Sequence, residues 1–125
     1  MGNRAVIQMQ NDDVGIYLHW NGGRTSVEAF LETAKDYNVR GDDYGIARLV
    51  QIIGNFFGGT LSIGVSHIDR TDQDNGDNGV YVIDNQFNIV DRKFTRYPEQ
   101  VNPSVEDMKA EIKKANDKFF IQETS

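Results

Sequence analysis

Along this chain the spacing of apolar positions switches between a period of two and a period of three to four. Residues 5–10 (AVIQMQ) and 14–20 (VGIYLHW) are rich in β-forming side chains and are separated by Asn11-Asp12-Asp13, which predicts a β-hairpin. In the second run Ile16, Leu18 and Trp20 share one face while Tyr17 and His19 share the other, the alternation of a strand. Trp20 is expected to cap the core. From Thr25 the period lengthens, with Val27, Phe30, Leu31 and Ala34 at i, i+3, i+4 and i+7, predicting an amphipathic helix that ends near Tyr37 or Asn38. Thr25 and Glu28 match a capping box, in which each side chain satisfies a free backbone N–H of the first turn.

A second helix is predicted from the turn at Gly41-Asp42-Asp43 through GIARLVQIIGNFF to Gly58-Gly59, which suit a left-handed stop. Its apolar residues, Ile46, Leu49, Val50, Ile52, Ile53, Phe56 and Phe57, cover most of the circumference, so it reads as the central buried helix. Three strand candidates follow at 61–68 (LSIGVSHI), 80–84 (VYVID) and 87–90 (FNIV), then a connector at 98–103. A last amphipathic helix spans about 104–119, with Val105, Met108, Ile112, Ala115 and Phe119 along one stripe. The order β-β-α-α-β-β-β-α predicts an α+β fold, an antiparallel sheet of about five strands with helices packed on it.

Composition narrows what such a fold can do. The 125 residues are the size of a single domain covering 1–125, 38% hydrophobic and 26% charged, a mix typical of chains that fold by themselves. No apolar run approaches the length needed to span a bilayer, and the first ten residues lack a secretion signal; no membrane is expected as a partner, and a cytoplasmic location is. With no cysteine and two histidines, thiolate chemistry is excluded, neither metal nor cofactor is expected, and disulfides cannot form. A formal charge of −6 opposes binding of long DNA or RNA, because that affinity comes largely from neutralising phosphates. A small phosphorylated ligand needs only two or three local cations.

Candidate binding residues gather at several points. The stretch YLHWNGGR (17–24) carries a strand through Gly22 and Gly23 into a helix start. Helix N-termini present unpaired N–H groups and about half a positive charge. With Arg24 beside it, and with Trp20 and Asn21 offering an aromatic face and an amide, this corner suits a nucleotide; it also suits a plain turn, since no phosphate-loop spacing is present. On the second helix Tyr44, Arg48, Gln51 and Asn55 share one face. Either Arg48 meets a phosphate or carboxylate in a pocket while Tyr44 and Asn55 orient the rest, or the stripe is a solvent-facing edge. Lys109 and Lys113 stand one turn apart among interleaved acids, able to clamp an anion or to join helix ion pairs. Tyr81 is a further stacking candidate. The stretch 69–79 (DRTDQDNGDNG) clusters acids, but no register gives a calcium-loop pattern; it reads as a long acidic hairpin loop, suited to serve as a lid. No nucleophile elbow occurs, so an enzyme is not expected, although a hydrolase stays open.

Five phrases, GNRAVI (2–7), GIYLHWNGGR (15–24), SVEAFL (26–31), YGIARLVQIIGNFFGGTLSIGV (44–65) and DNGDNGVYVI (74–83), resemble a family of small cytoplasmic proteins encoded by phages and prophages. The chain is similar to the first Thoeris anti-defence family. That resemblance implies a non-enzymatic sponge that sequesters cyclic ADP-ribose-type immune signals or cyclic oligonucleotides in the host cytoplasm without degrading them. Such a sponge needs aromatic faces, amides and a few basic groups. A homo-oligomer is expected, with the apolar side of the last helix at Phe119-Phe120 as one packing surface and two-fold symmetry as the default. The rival expectation is an acidic protein-protein inhibitor of a host defence nuclease, in the manner of an anti-CRISPR protein.

Overall fold

The computed structural model describes residues 3–10, 12–95 and 105–124, the last four of these by backbone alone. The expected connector at 98–103 lies outside the described residues. Five strands, β1 (Ala5–Met9), β2 (Val14–Leu18), β3 (Ile63–His67), β4 (Val80–Ile83) and β5 (Ile89–Lys93), and three main helices, α1 (Arg24–Asp36), α2 (Asp43–Phe57) and α3 (Val105–Thr124), follow one another in the expected order. The fold is α+β.

The sheet has the order β3-β2-β1-β4-β5. It is mostly antiparallel, but β1 and β4 run parallel, with Val6 opposite Val80 and Ile7 opposite Tyr81. Parallel pairs survive where both faces are covered, and the sequences suit that position: β1 is buried at Ala5, Val6, Ile7 and Met9, and β4 is buried throughout. Ile7, Ile16, Leu18, Tyr81 and Ile83 face the helices, where they meet Phe30, Leu49, Ile53 and Ile112. The opposite face gathers Val6, Ile68, Val80 and Val82, with Tyr17 beside them.

That second face corrects the expectation for 69–79. Because β3 and β4 are not neighbours, their connection is a crossover and not a hairpin loop. It begins with a short 3-10 turn, Ile68–Arg70, and packs so closely on the sheet that a Cβ on Gly15 would lie 2.8 Å from Thr71 Cγ2. Buried Asn75 donates to the carbonyls of Asp72 and Gly79 and accepts from the N–H groups of Asp77 and Gly79. Arg4 closes the turn through a 2.8 Å ion pair to Asp77, which holds the Asp77 carboxyl below its usual range.

Helix boundaries follow local chemistry where the caps are strong. Asp42 accepts from Gly45 N–H to start α2, and Gly58, at φ 78°, stops it. Elsewhere tertiary packing shifts the limits. On α3 Phe120 is buried and stacks on Tyr37 at 4.6 Å, whereas Phe119 is exposed, because a helix turns 3.6 residues per turn and the stripe drifts by one position over its length. The strand expected at 87–90 begins instead at Ile89: Asp84 accepts from Gln86 and Asn88 N–H, and the turn so formed holds Phe87 at φ 63° with its ring in the core.

Candidate functional site

The corner after β2 is built by close approach. Gly22 is buried; its N–H donates to the carbonyl of Asn3, and its carbonyl accepts from the Tyr81 hydroxyl at 2.8 Å. A Cβ at this position would stand 2.5 Å from the Asn3 oxygen, so glycine is required by space. The left-handed residue is its neighbour Asn21, at φ 57°. Trp20, expected to cap the core, is instead 46% exposed and lines a hollow with Tyr17 and His19.

Gly23 is the N-cap of α1 and supplies no side-chain hydrogen bond. The capping box expected from Thr25 and Glu28 is not formed, since the N-cap is Gly23, two residues before Thr25, and Glu28 turns to Arg24 at 2.7 Å. The first turn of α1 is therefore without a side-chain cap and without an acid, the polarity that favours an anion.

Two hollows border this corner. The larger, of about 450 Å³, is lined by Tyr17, His19, Trp20 and 61–64. Tyr17 hydroxyl and His19 Nδ1 are 3.0 Å apart, and the His19 ring meets Trp20 edge to face at 4.8 Å. Burial raises the Tyr17 phenol above its usual range, so the hydroxyl keeps its proton within hydrogen-bond reach of His19 Nδ1. The smaller hollow, of about 220 Å³, is lined by Arg24, Glu28, Leu31, Glu32, Lys35, Phe87, Asn88 and Ile89. Its cations are matched by acids: Arg24 pairs with Glu28, and Lys35 lies 3.3 Å from Glu32 while donating to Asn88 at 2.6 Å.

The remaining candidates are dispersed. Tyr81, expected to offer a stacking surface, is fully buried, its ring in the core with Arg92 Cζ 3.7 Å from the centroid. Asn55 donates to Asn116 Oδ1 at 2.9 Å, and buried Asn116 donates to the carbonyls of Ile52 and Ile112, so both amides fasten α2 to α3. Lys109 and Lys113 hold the Asp36 carboxylate of α1 at 3.1 and 2.7 Å. Hydrogen bonding from Lys113, with Lys109 assisting against some burial, keeps Asp36 ionised below the usual carboxylate range. Tyr44 is exposed on the outer side of α2, its ring 4.7 Å from Arg40 and 5.9 Å from Arg48, and Arg48 lines neither hollow described above. The solvent-facing alternative describes Tyr44 and Gln51, while Asn55 turns to α3.

Comparison of the chain with protein-family models, with curated proteins and with solved structures finds no match. Tyr17, His19, Leu61 and Ser62 line the hollow and are not among the binding residues expected from the sequence. The signal for the first two was already in the alternation that put Tyr17 and His19 on the face away from the core; the contribution of β3 depends on strand order and had no local signature.

Proposed function

We propose that this chain is a non-enzymatic binding protein that takes up a small nucleotide-derived signalling molecule, a cyclic ADP-ribose isomer or a cyclic oligonucleotide, and sequesters it in the cytoplasm of a phage-infected host. The observation that carries the reading is the hollow formed by Tyr17, His19 and Trp20. Its volume of about 450 Å³ falls in the range of small-molecule sites, and an exposed indole at right angles to an imidazole gives a base a face to stack on and a donor to meet its edge. The chain leads from that hollow within four residues to the uncapped start of α1, where a phosphate finds N–H donors and the positive end of the helix dipole; Arg24 there is paired with Glu28. The ligand class itself is taken from the resemblance described for the sequence.

Incubation of the purified protein with a mixture of cyclic nucleotide signals, followed by removal of free ligand and heat denaturation, tests this directly. Release of one signal chemically intact is the expected result, and turned-over ligand would point to a hydrolase. A saturating ligand raises the melting temperature, since 100 times its dissociation constant adds about 2.7 kcal/mol. Trp20→Ala, by weakening binding about tenfold, should cut that shift to about half at the same ligand concentration while leaving the unliganded protein folded, because Trp20 lies outside the core. If no signal is retained and none moves the melting temperature, the reading fails.

A further inference from the structure

The two edges of the sheet are finished differently. β5 carries Asp91, Arg92 and Lys93, and its pairing with β4 has a register shift at Val82/Ile83; charges and bulges at an edge discourage another strand from adding. β3 has neither protection. Its residues, Ile63, Gly64, Val65, Ser66 and His67, include no lysine, arginine, acid or proline, and they pair with β2 one to one from Leu18↔Ile63 to Val14↔His67. Among the described residues no strand lies on the outer side of β3.

Two hydrogen bonds show which peptide groups face outward. His19 N–H donates to the Ser62 carbonyl, and Ile68 N–H donates to the Asp13 carbonyl, so even-numbered residues turn toward β2. In an antiparallel ladder both groups of a residue point the same way and successive residues alternate. Ile63, Val65 and His67 therefore point theirs away from the sheet. The Ile63 N–H is taken by the Thr60 carbonyl. The Val65 side chain lies on the helix side, opposite Ile16, yet is 53% exposed.

We propose that β3 is the seat of a two-fold dimer of this chain, in which two copies of β3 pair antiparallel about Val65 and the sheets join into one. Val65 then exchanges both of its bonds with the partner's Val65, and His67 N–H donates to the carbonyl of the partner's Ile63, which leaves the Thr60–Ile63 turn bond in place. The exposed Val65 side chains cover one another across the axis. Charge placement agrees: Asp13 and Asp69 flank His67 at one end of β3, and an antiparallel partner sets its own pair at the far end. The axis stands perpendicular to the sheet, so the Tyr17 and His19 faces of both copies open on the same side. The inference does not rest on the ligand reading.

Sedimentation velocity and light scattering of the full chain test it. The expected mass is about twice 14.1 kDa, and Val65→Lys, which opposes two like charges at the axis, should weaken dimerisation at least about tenfold. An equimolar mixture of V65K and V65E should restore the dimer. Hydrogen exchange of the wild-type chain gives a readout that needs no variant: protection of Val65 and His67 N–H should rise with protein concentration. A wild-type chain that remains monomeric at every concentration, a dimer that V65K leaves intact, or exchange at Val65 that ignores concentration would each overturn the proposal.

Discussion

The two faces of the sheet are closed by opposite means. On one side three helices lay apolar stripes over Ile7, Ile16, Leu18, Tyr81 and Ile83, and the ring of Phe30 meets those of Phe56 and Phe57 edge to face at 5.7 and 6.2 Å. On the other side no helix is present among the described main elements, and a small cluster of Val6, Ile68, Val80 and Val82 is roofed by a polar crossover held by Asn75, Asn78 and the Arg4–Asp77 pair. One face gains stability from removing apolar area from water. The other satisfies buried backbone groups with side-chain amides, so its stability depends on leaving none of them unpaired.

That contrast can be broken at its strongest point first. Phe30→Ala should cost about 3–5 kcal/mol through lost burial and the cavity left behind, measured by chemical denaturation; a cost below about 1 kcal/mol would mean that the helix face is not the main core. Asn75→Ala on the opposite face should cost about 1–3 kcal/mol, because it orphans the N–H groups of Asp77 and Gly79 while removing almost no apolar area. Its signature is loss of exchange protection at those two amides, with the helix side unchanged. A uniform loss of protection would show instead that the two faces unfold as one unit.

The smallest effect lies between helices. Asp36→Asn should cost about 0.5–1 kcal/mol, since the pair is partly open to solvent and screened. Its pH dependence has a definite sign. The Asp36 carboxyl sits below its ordinary 3.8 in the folded chain, so its contribution is complete above that value and is lost as the pH falls through the lower folded-state value. Stability curves of wild type and D36N should therefore run parallel at neutral pH and converge below about pH 4. Curves that stay separated in acid would remove Asp36 from the account of how α3 is fastened to α1.

Much of the site was illegible in sequence because its residues are spoken for by distant partners. Lys109 and Lys113 look like a free anion clamp until Asp36, far away in the chain, is brought between them. Asn55 offers an amide until Asn116 takes it, and Tyr81 offers a ring until Gly22 and Arg92 enclose it. Trp20, expected to cap the core, is exposed, and Arg24 stands as expected at the start of a helix. Of the corner read from the sequence, the fold retains an exposed Trp20 and a helix start at Arg24, which is paired with Glu28.

Sequence by itself determined the order of the elements, the α+β class and the limits of α2. Each depends on interactions within a few residues: apolar periodicity, an aspartate one turn from a free N–H, a glycine that tolerates positive φ. Tertiary structure alone decided that β4 lies parallel to β1, that the acidic stretch crosses the sheet as a wall, which cations are neutralised, and that an aromatic hollow opens between β2 and β3. Those outcomes depend on which distant groups meet, and local propensity states which face a side chain occupies without naming what will be opposite it.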